Sequence, residues 1–155
     1  MRSRIIWTML TSGVVPIGFG MMQFRLTALQ ERGPLETRIA NQGKHFTIRR
    51  ASSNGIPPRP VDTKASREAG ATHYCLDCNI CHGVDGHAQT APGRWMYPPA
   101  TDLTSKEVQS YSDQELFWII KNGIRFTGMP AFGKVETADN IWGLVNYMRT
   151  LPSTK

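Results

Sequence analysis

Three cysteines at three-residue intervals constrain this chain more than any other feature of its sequence. They lie in the stretch HYCLDCNICHG, residues 73–83, as Cys75, Cys78 and Cys81, with His82 directly after the last. The 155 residues contain no other cysteine, which excludes a disulfide framework spread over the chain. Cysteines clustered in this way indicate a metal or cofactor site, and an iron–sulfur cluster, a zinc ion or a haem are the candidates.

The residues around the cysteines favour haem over the alternatives. A ferredoxin-type cluster needs a fourth cysteine where this chain has Asp85. Structural zinc sites use ligand pairs separated by a loop, whereas Cys81 and His82 are adjacent, and a thioredoxin-like C-x-x-C pair needs a βαβ setting that the pattern lacks. Residues 78–82 instead read C-x-x-C-H, the attachment motif of c-type haem, in which two thiols on one helical turn reach the porphyrin and the imidazole reaches the iron.

Periodic apolar residues predict three helices and no strand in residues 65–155. The first begins near Ser66, a candidate N-cap, and runs into the cysteine motif. The second begins with an S-x-x-E capping box at Ser112 and ends at Gly123, and the third has Thr137 as its N-cap. Both of these helices have an apolar face at helical spacing, formed by Leu116, Ile119 and Ile120 in one and by Ile141, Leu144, Val145 and Met148 in the other.

The N-terminal segment predicts a membrane anchor. Residues 5–24 contain no charged residue, and at roughly 1.5 Å per residue they form about 30 Å of helix, enough to cross the hydrocarbon core of a bilayer. A cleaved signal peptide is the alternative, with Arg2 and Arg4 as its positive region. The apolar run exceeds the roughly 7–15 residues of such peptides, and no A-x-A-like cleavage site follows. We therefore expect residues 1–24 to be a retained transmembrane anchor.

The basic charge of the chain lies outside the part that carries the cysteines. Residues 1–64 contain ten Lys or Arg and three Asp or Glu, whereas residues 65–155 contain eight and nine. No basic stripe interleaved with aromatic residues is present, which argues against nucleic-acid binding. Residues 25–64, with a proline-rich run at 57–60, predict an extended basic tether with some local structure. The tether is either a solvated linker or a strap on a partner subunit or on anionic lipid, and its length favours the partner.

These features together resemble the class I c-type cytochromes over roughly residues 65–151. The shared order is a helix, C-x-x-C-H, a long loop, a capped helix, a methionine loop and a terminal helix. The resemblance implies an all-α class I cytochrome c fold around one covalently bound haem c. It also implies thioether bonds at Cys78 and Cys81, proximal iron ligation by His82, and distal ligation by Met129, which precedes a proline in GIRFTGMPAFG.

Other residues have secondary expectations. Gly70 and Tyr74 resemble the small-x-x-x-aromatic pattern by which the first helix of the family crosses the last. Met96 is the second candidate for an axial ligand and otherwise packs on the ring. Cys75 is not needed for attachment, and we expect a small buried residue there. The alternatives are a free reactive thiol or mispairing with Cys78, and we expect no Cys75–Cys78 disulfide in the mature protein. The remaining candidates are Arg94, Trp95 and Tyr97 as propionate donors, His73 and His87 as surface or hydrogen-bonding residues, and Trp142 and Tyr147 as aromatic residues of the last helix.

The resemblance implies a one-electron carrier and not an enzyme, because His/Met ligation saturates the iron. The anchor suggests a subunit of a membrane complex such as an oxidase, a reductase, a quinol-oxidising complex or a photosynthetic reaction centre. A bare Lys/Arg count would place the large part inside the cell. The family attaches its haem outside the cytoplasmic membrane, so we expect the N-terminus inside and the haem domain in the periplasm. The alternative function is a haem-based ligand sensor or a peroxidase-like enzyme with a labile sixth ligand.

Overall fold

The computed structural model of the protein describes residues 28–29 and 32–151, and all of the regular structure in these ranges is helical. The predicted all-α class is therefore confirmed for this part of the chain. The predicted membrane span, residues 5–24, lies outside the described residues, and none of the described helices is long and apolar enough to cross a bilayer. The elements are α1 Pro34–Ala51, α2 Lys64–His73, a π-helical turn Tyr74–Cys78, α3 Asn79–His82, α4 Ala91–Trp95, α5 Lys106–Gln109, α6 Asp113–Asn122, a 3-10 turn Phe132–Lys134, and α7 Ala138–Met148.

The first and last helices of the C-terminal part, α2 and α7, cross at two glycines. A Cβ built on Gly70 would lie 1.9 Å from the carbonyl oxygen of Gly143, so only a residue without a side chain permits this approach. One turn further along, the rings of Tyr74 and Tyr147 pack with their centroids 5.0 Å apart. The crossing predicted from Gly70 and Tyr74 is therefore confirmed, with Tyr147 as the aromatic partner on α7.

Helix α6 packs beside α7 and completes the core. The rings of Phe117 and Trp142 lie 4.5 Å apart at the centre of this contact. The capping box at Ser112 is present, since its hydroxyl accepts from the Glu115 amide at 3.2 Å while the Glu115 carboxylate accepts from the Ser112 amide at 2.7 Å. Of the predicted apolar faces, Leu116, Ile120, Ile141, Leu144, Val145 and Met148 are buried, and Ile119 is half-buried.

The start of α2 differs from the prediction. Thr63, not Ser66, is its N-cap: the Thr63 hydroxyl accepts from the Ser66 amide at 3.1 Å. The helix therefore begins one turn earlier, and the Ser66 hydroxyl is left to accept from the side-chain amide of Asn146 on α7 at 2.6 Å. A run of cap-competent residues before a helix has several possible starts, and the contact with α7 selects among them.

The extended tether predicted for residues 25–64 is wrong for residues 34–51, which form the 18-residue helix α1. Ile48 is 2% exposed and belongs to the same hydrophobic core as α6 and α7. Lys44 pairs with Glu107 at 3.0 Å, and the ring of His45 stacks on Tyr111 at 4.9 Å. The packed face of α1 is mostly polar, so the sequence lacks the apolar period that a helix shows on the face it turns to a core. The proline-rich run at 57–60 has no regular structure.

Candidate haem-attachment site

The two predicted attachment cysteines lie on successive helical turns. Cys78 ends the π-helical turn, and Cys81 lies in α3. Both side chains are half-buried, and Cys78 packs against the hydrophobic core. Burial raises the pKa of the Cys78 thiol to about 12, so the free thiol is neutral at physiological pH. These thiols stand for the sulfur atoms that would form thioether bonds to a haem.

The predicted proximal ligand, His82, is held with one ring nitrogen engaged. Its Nδ1 lies 2.9 Å from the carbonyl oxygen of Thr101. A carbonyl can only accept, so Nδ1 must carry the hydrogen and Nε2 keeps its lone pair. Burial lowers the pKa of His82, which further favours the neutral imidazole. A neutral histidine oriented through Nδ1 is the usual form of a metal-ligating histidine.

The backbone around the motif is fixed by hydrogen bonds from outside it. The carbonyl of Cys81 accepts from the Thr90 hydroxyl at 3.0 Å, and that of His82 accepts from the Ala88 amide at 2.7 Å. The carbonyl of Gly83, which ends α3 at φ +76°, accepts from the Tyr74 hydroxyl at 2.6 Å. Tyr74 therefore connects the α2–α7 crossing to the attachment motif.

The predicted distal ligand, Met129, lies in a loop that closes on itself. The Ile124 amide donates to the Met129 carbonyl at 3.3 Å, and the Met129 amide donates to the Thr127 hydroxyl at 3.1 Å. Gly123 adopts φ +66°, and a Cβ there would lie 2.7 Å from the Met129 carbonyl. Met129 is half-buried and packs against the same core as Cys78. The structure thus brings the predicted distal ligand and an attachment cysteine to one core, 51 residues apart in sequence.

Met96, the second candidate for an axial ligand, packs against the methionine loop. A Cβ built on Gly128 would lie 2.1 Å from the Met96 sulfur. The Met96 thioether therefore lies directly beside the residue that precedes Met129. Two methionines, Met96 and Met129, therefore meet at one loop.

The burial predicted for Cys75 is wrong, because this residue is exposed. Tyr74 takes the buried position in the contact with α7, so the side chain of the next residue faces solvent. The Cys75 sulfur lies 3.6 Å from the side-chain amide nitrogen of Asn79.

The residues predicted as propionate donors are not gathered into one group. Arg94 and Trp95 are exposed, and the Tyr97 hydroxyl donates to the Glu36 carboxylate on α1 at 2.7 Å. The indole of Trp142 is a buried donor for which the sequence gave no signal. Trp142 is 1% exposed, and its Nε1 has no partner among the described atoms. An unmet buried donor costs about 1–3 kcal/mol, which a bound group with acceptor oxygens would offset.

The histidines outside the motif form hydrogen bonds, as expected for His73 and His87. His87 Nδ1 lies 3.1 Å from the Thr104 hydroxyl and 3.3 Å from Asp102.

His73 belongs to a cluster of potential metal ligands. Its Nδ1 lies 3.0 Å from Glu136, and with Asp77 these side chains place three potential ligand atoms within 4.8 Å of one another. Burial, and then the nearby Glu136 carboxylate, raise the pKa of Asp77. The sequence offered no signal for this cluster, since Glu136 lies 59 residues after Asp77.

The donor set fits a covalently bound haem. It supplies two thiols at the attachment spacing, an imidazole whose free nitrogen is the ligating one, a thioether on the same core, and a buried donor without a protein partner. A closed tetrahedral zinc site needs four converging ligands, and Cys75 is turned to solvent.

The helical fold around a C-x-x-C-H motif defines a class I c-type cytochrome. Residues 65–148 match the sequence model of the family described as cytochrome C oxidase, cbb3-type, subunit III. This match spans more than half of the chain, and the chain therefore belongs to that family of haem-containing domains. Membership implies a covalently bound haem c and an electron-transfer role. No curated protein sequence gives a significant match.

A solved structure has the same fold. It is a chain of a reducing HAO-like protein complex from Kuenenia stuttgartiensis, with 24% sequence identity and a TM-score of 0.58. The similarity covers 64% of this chain and 50% of that one, so this chain corresponds to about half of the solved chain.

Proposed function

We propose that this protein is a monohaem one-electron carrier in which His82 and Met129 are the axial ligands of the iron. The observation that carries the proposal is the hydrogen bond from His82 Nδ1 to the Thr101 carbonyl, which leaves the lone pair of Nε2 free to bind iron. The chain contains the C-x-x-C-H motif once, which supports a single haem.

Each residue of the site has a role that follows from its own chemistry. Cys78 and Cys81 would hold the group covalently, and His82 would present a neutral imidazole in a fixed orientation. Met129 would contribute a soft thioether, which favours ferrous iron and a higher reduction potential than a second histidine. The haem supplies reversible one-electron chemistry when bound. The apolar core would exclude water from the bound group. With His82 and Met129 both bound to the iron, no position would remain for a substrate.

We further propose that residues 5–24 anchor the protein in the cytoplasmic membrane, with the N-terminus inside and the haem domain in the periplasm. The twenty uncharged residues support the anchor. The description of the family as an oxidase subunit, and the complex that contains the similar solved chain, support a role as a non-catalytic subunit of a larger electron-transport complex. Anchoring raises the effective concentration of the carrier at its partner.

The axial ligand is tested by comparing Met129→Ala with Met96→Ala in the full-length haem-loaded protein. We expect Met129→Ala to abolish the spectroscopic signature of iron–thioether ligation, to lower the reduction potential and to open the ferrous protein to carbon monoxide. We expect Met96→Ala to keep the ligation signature. If the two variants behave in the opposite way, Met96 is the ligand. If the unmodified ferrous protein binds carbon monoxide at neutral pH, the proposed function as an electron carrier is wrong, and a haem sensor or peroxidase-like enzyme is favoured.

The assembly is tested on a native gel of detergent-solubilised membranes, stained for haem. We expect this chain in a haem-stained band far larger than 17.3 kDa. A haem-stained band near the size of the single chain with its detergent would contradict a fixed subunit. If the chain is found only in a band that does not stain for haem, the assignment as a cytochrome is contradicted.

A further inference from the structure

Helix α1 has two faces of different character. Its packed face carries Lys44, His45 and the buried Ile48. At roughly 100° between successive helical residues, three apolar side chains fall together on the opposite side. These are Leu35, Ile39 and Phe46, which are 68%, 62% and 70% exposed. We call these three residues the outward face of α1. A row of large apolar residues along one side of a helix marks an interaction surface.

Arginines flank the outward face on both sides. Arg38 and Arg49 lie along one edge of it and Arg50 along the other, by their helical positions. Within the described residues, Arg38 and Arg50 form no ion pair, and Arg49 has only a 4.0 Å contact with Glu115. The single acidic residue of α1, Glu36, accepts from the Tyr97 hydroxyl. The outward face is therefore apolar at its centre and positively charged at its edges.

The proposed anchor keeps α1 within reach of the bilayer. Its first residue, Pro34, follows the end of the proposed anchor at residue 24 by at most about 35 Å of extended chain. A helix tethered within this distance of a bilayer, with exposed apolar residues between arginines, is suited to lie in the interface of an anionic membrane.

We propose that the outward face of α1 lies in the headgroup region of an anionic phospholipid bilayer and thereby holds the haem domain in a fixed orientation on the membrane. The inference rests on the proposed anchor, but not on the identity of the axial ligand. Each arginine contributes attraction to anionic headgroups, while the three apolar residues enter the boundary with the acyl chains. Because Ile48 fixes α1 to the core of the haem domain, a contact at the outward face restricts the whole domain.

The test places one reactive thiol within the outward face without altering its apolar residues. Gln42 is exposed and lies one turn from both Ile39 and Phe46, and Ala40 is exposed on another side of α1. Gln42→Cys and Ala40→Cys are each made in full-length, haem-loaded Cys75→Ser protein, with one copy per nanodisc. The rate of alkylation by a charged, water-soluble maleimide is measured in nanodiscs of phosphatidylcholine with phosphatidylglycerol and in phosphatidylcholine alone.

We expect position 42 to react several-fold more slowly than position 40 in the anionic nanodiscs, with a smaller difference in phosphatidylcholine alone. Replacing Arg38 or Arg50 with glutamine should weaken the protection roughly fivefold for each arginine. The matched control Lys134→Gln removes an exposed cation elsewhere and should leave the protection unchanged. Equal rates at positions 40 and 42 in both lipid mixtures would overturn the proposal.

Two further measurements separate this proposal from the proposed function. Protection of position 42 in native membranes, without protection in either nanodisc, would overturn the lipid contact and assign the outward face to a protein partner. Alkaline extraction of membranes tests the anchor by itself, and release of the chain would contradict residues 5–24 as an anchor while the alkylation rates still decide the outward face. The redox titration of the haem is independent of both.

Discussion

Two helix contacts in this protein are of opposite kinds: the crossing of α2 with α7, and the packing of α1 against the rest of the domain. Helices α2 and α7 meet backbone to backbone at Gly70 and Gly143, where a single added Cβ would lie 1.9 Å from a carbonyl oxygen. Helix α1 meets the domain through long polar side chains and one buried residue, Ile48. The first contact depends on the absence of side chains and leaves a pattern in the sequence. The second depends on a few polar partners far apart in the chain and leaves none.

Replacing one glycine in each region gives the largest expected difference. Gly70→Ala should destabilise the haem-loaded protein by about 3 kcal/mol, because α2 and α7 must move apart to admit the methyl group. Gly43→Ala in α1 meets no atom within 4 Å and should stabilise by about 0.5–1 kcal/mol, because alanine favours the helix. The free energy of unfolding is measured by denaturant titration with haem absorbance and circular dichroism as probes.

The opposite signs of the two effects make this comparison a test of the α2–α7 crossing. If Gly70→Ala does not accumulate with haem, Gly143→Ala supplies a milder change, since its Cβ would approach the nearest carbonyl oxygen at 3.1 Å. Unchanged stability in both Gly70→Ala and Gly143→Ala would contradict the crossing.

The next prediction asks whether α1 belongs to the haem domain. Ile48→Ala should lower the free energy of unfolding by about 2–4 kcal/mol, because it leaves a cavity in the core. Ile39→Ala, on the outward face of the same helix, should change it by less than about 0.5 kcal/mol in detergent solution. Similar small effects of both substitutions would show that α1 is detached from the domain in solution.

These contrasts explain how far the sequence could predict the fold. The capping box at Ser112 and the apolar face of α7 are local patterns, and the structure contains both. The start of α2 depends on which of several cap-competent residues the contact with α7 selects, and it is Thr63 rather than the predicted Ser66. Helix α1 has too few apolar residues on its packed face to produce a helical period there, and its contacts with the core come from residues far along the chain.

The site also combines residues that a local motif identifies with contacts that depend on distant parts of the chain. The motif names Cys78, Cys81 and His82 directly, because attachment requires fixed spacing. The partner that orients His82 is the carbonyl of Thr101, 19 residues away, and any residue type could supply it. The exposure of Cys75 follows from the burial of Tyr74 in the contact with α7, which no local pattern specifies.

A smaller effect is expected where the segment between α1 and α2 reaches the last helix. The guanidinium of Arg59 donates to the side-chain oxygen of the fully buried Asn146 and pairs with Asp113. Arg59→Leu should cost about 1–3 kcal/mol, because it leaves a buried acceptor without a partner. Arg67→Leu removes an arginine that pairs with Asp62 at the surface and is the matched control, with no measurable effect expected. An equal loss of stability in the two variants, measured by thermal unfolding, would contradict a specific role for Arg59.

The smallest effect concerns the Lys44–Glu107 ion pair, which attaches α1 to α5. The way its contribution to stability changes with pH follows from the pKa of Glu107. Burial alone would raise the pKa of Glu107, but the hydrogen bond and charge of Lys44, with a contribution from His45, lower it below the ordinary value of 4.5. A lowered pKa in the folded state stabilises the protein at pH values above the unfolded pKa, and this stabilisation is lost as the pH falls through the folded pKa.

Glu107→Gln should therefore cost about 0.2–1 kcal/mol at pH 7, the range of exposed pairs. The difference from the unmodified protein should shrink as the pH is lowered below about 4.5. Lys106→Gln changes the adjacent exposed charge without touching this pair and should show no such trend. A difference that grows at low pH would show that Glu107 is protonated more easily in the folded state, and that Lys44 and His45 do not hold its charge.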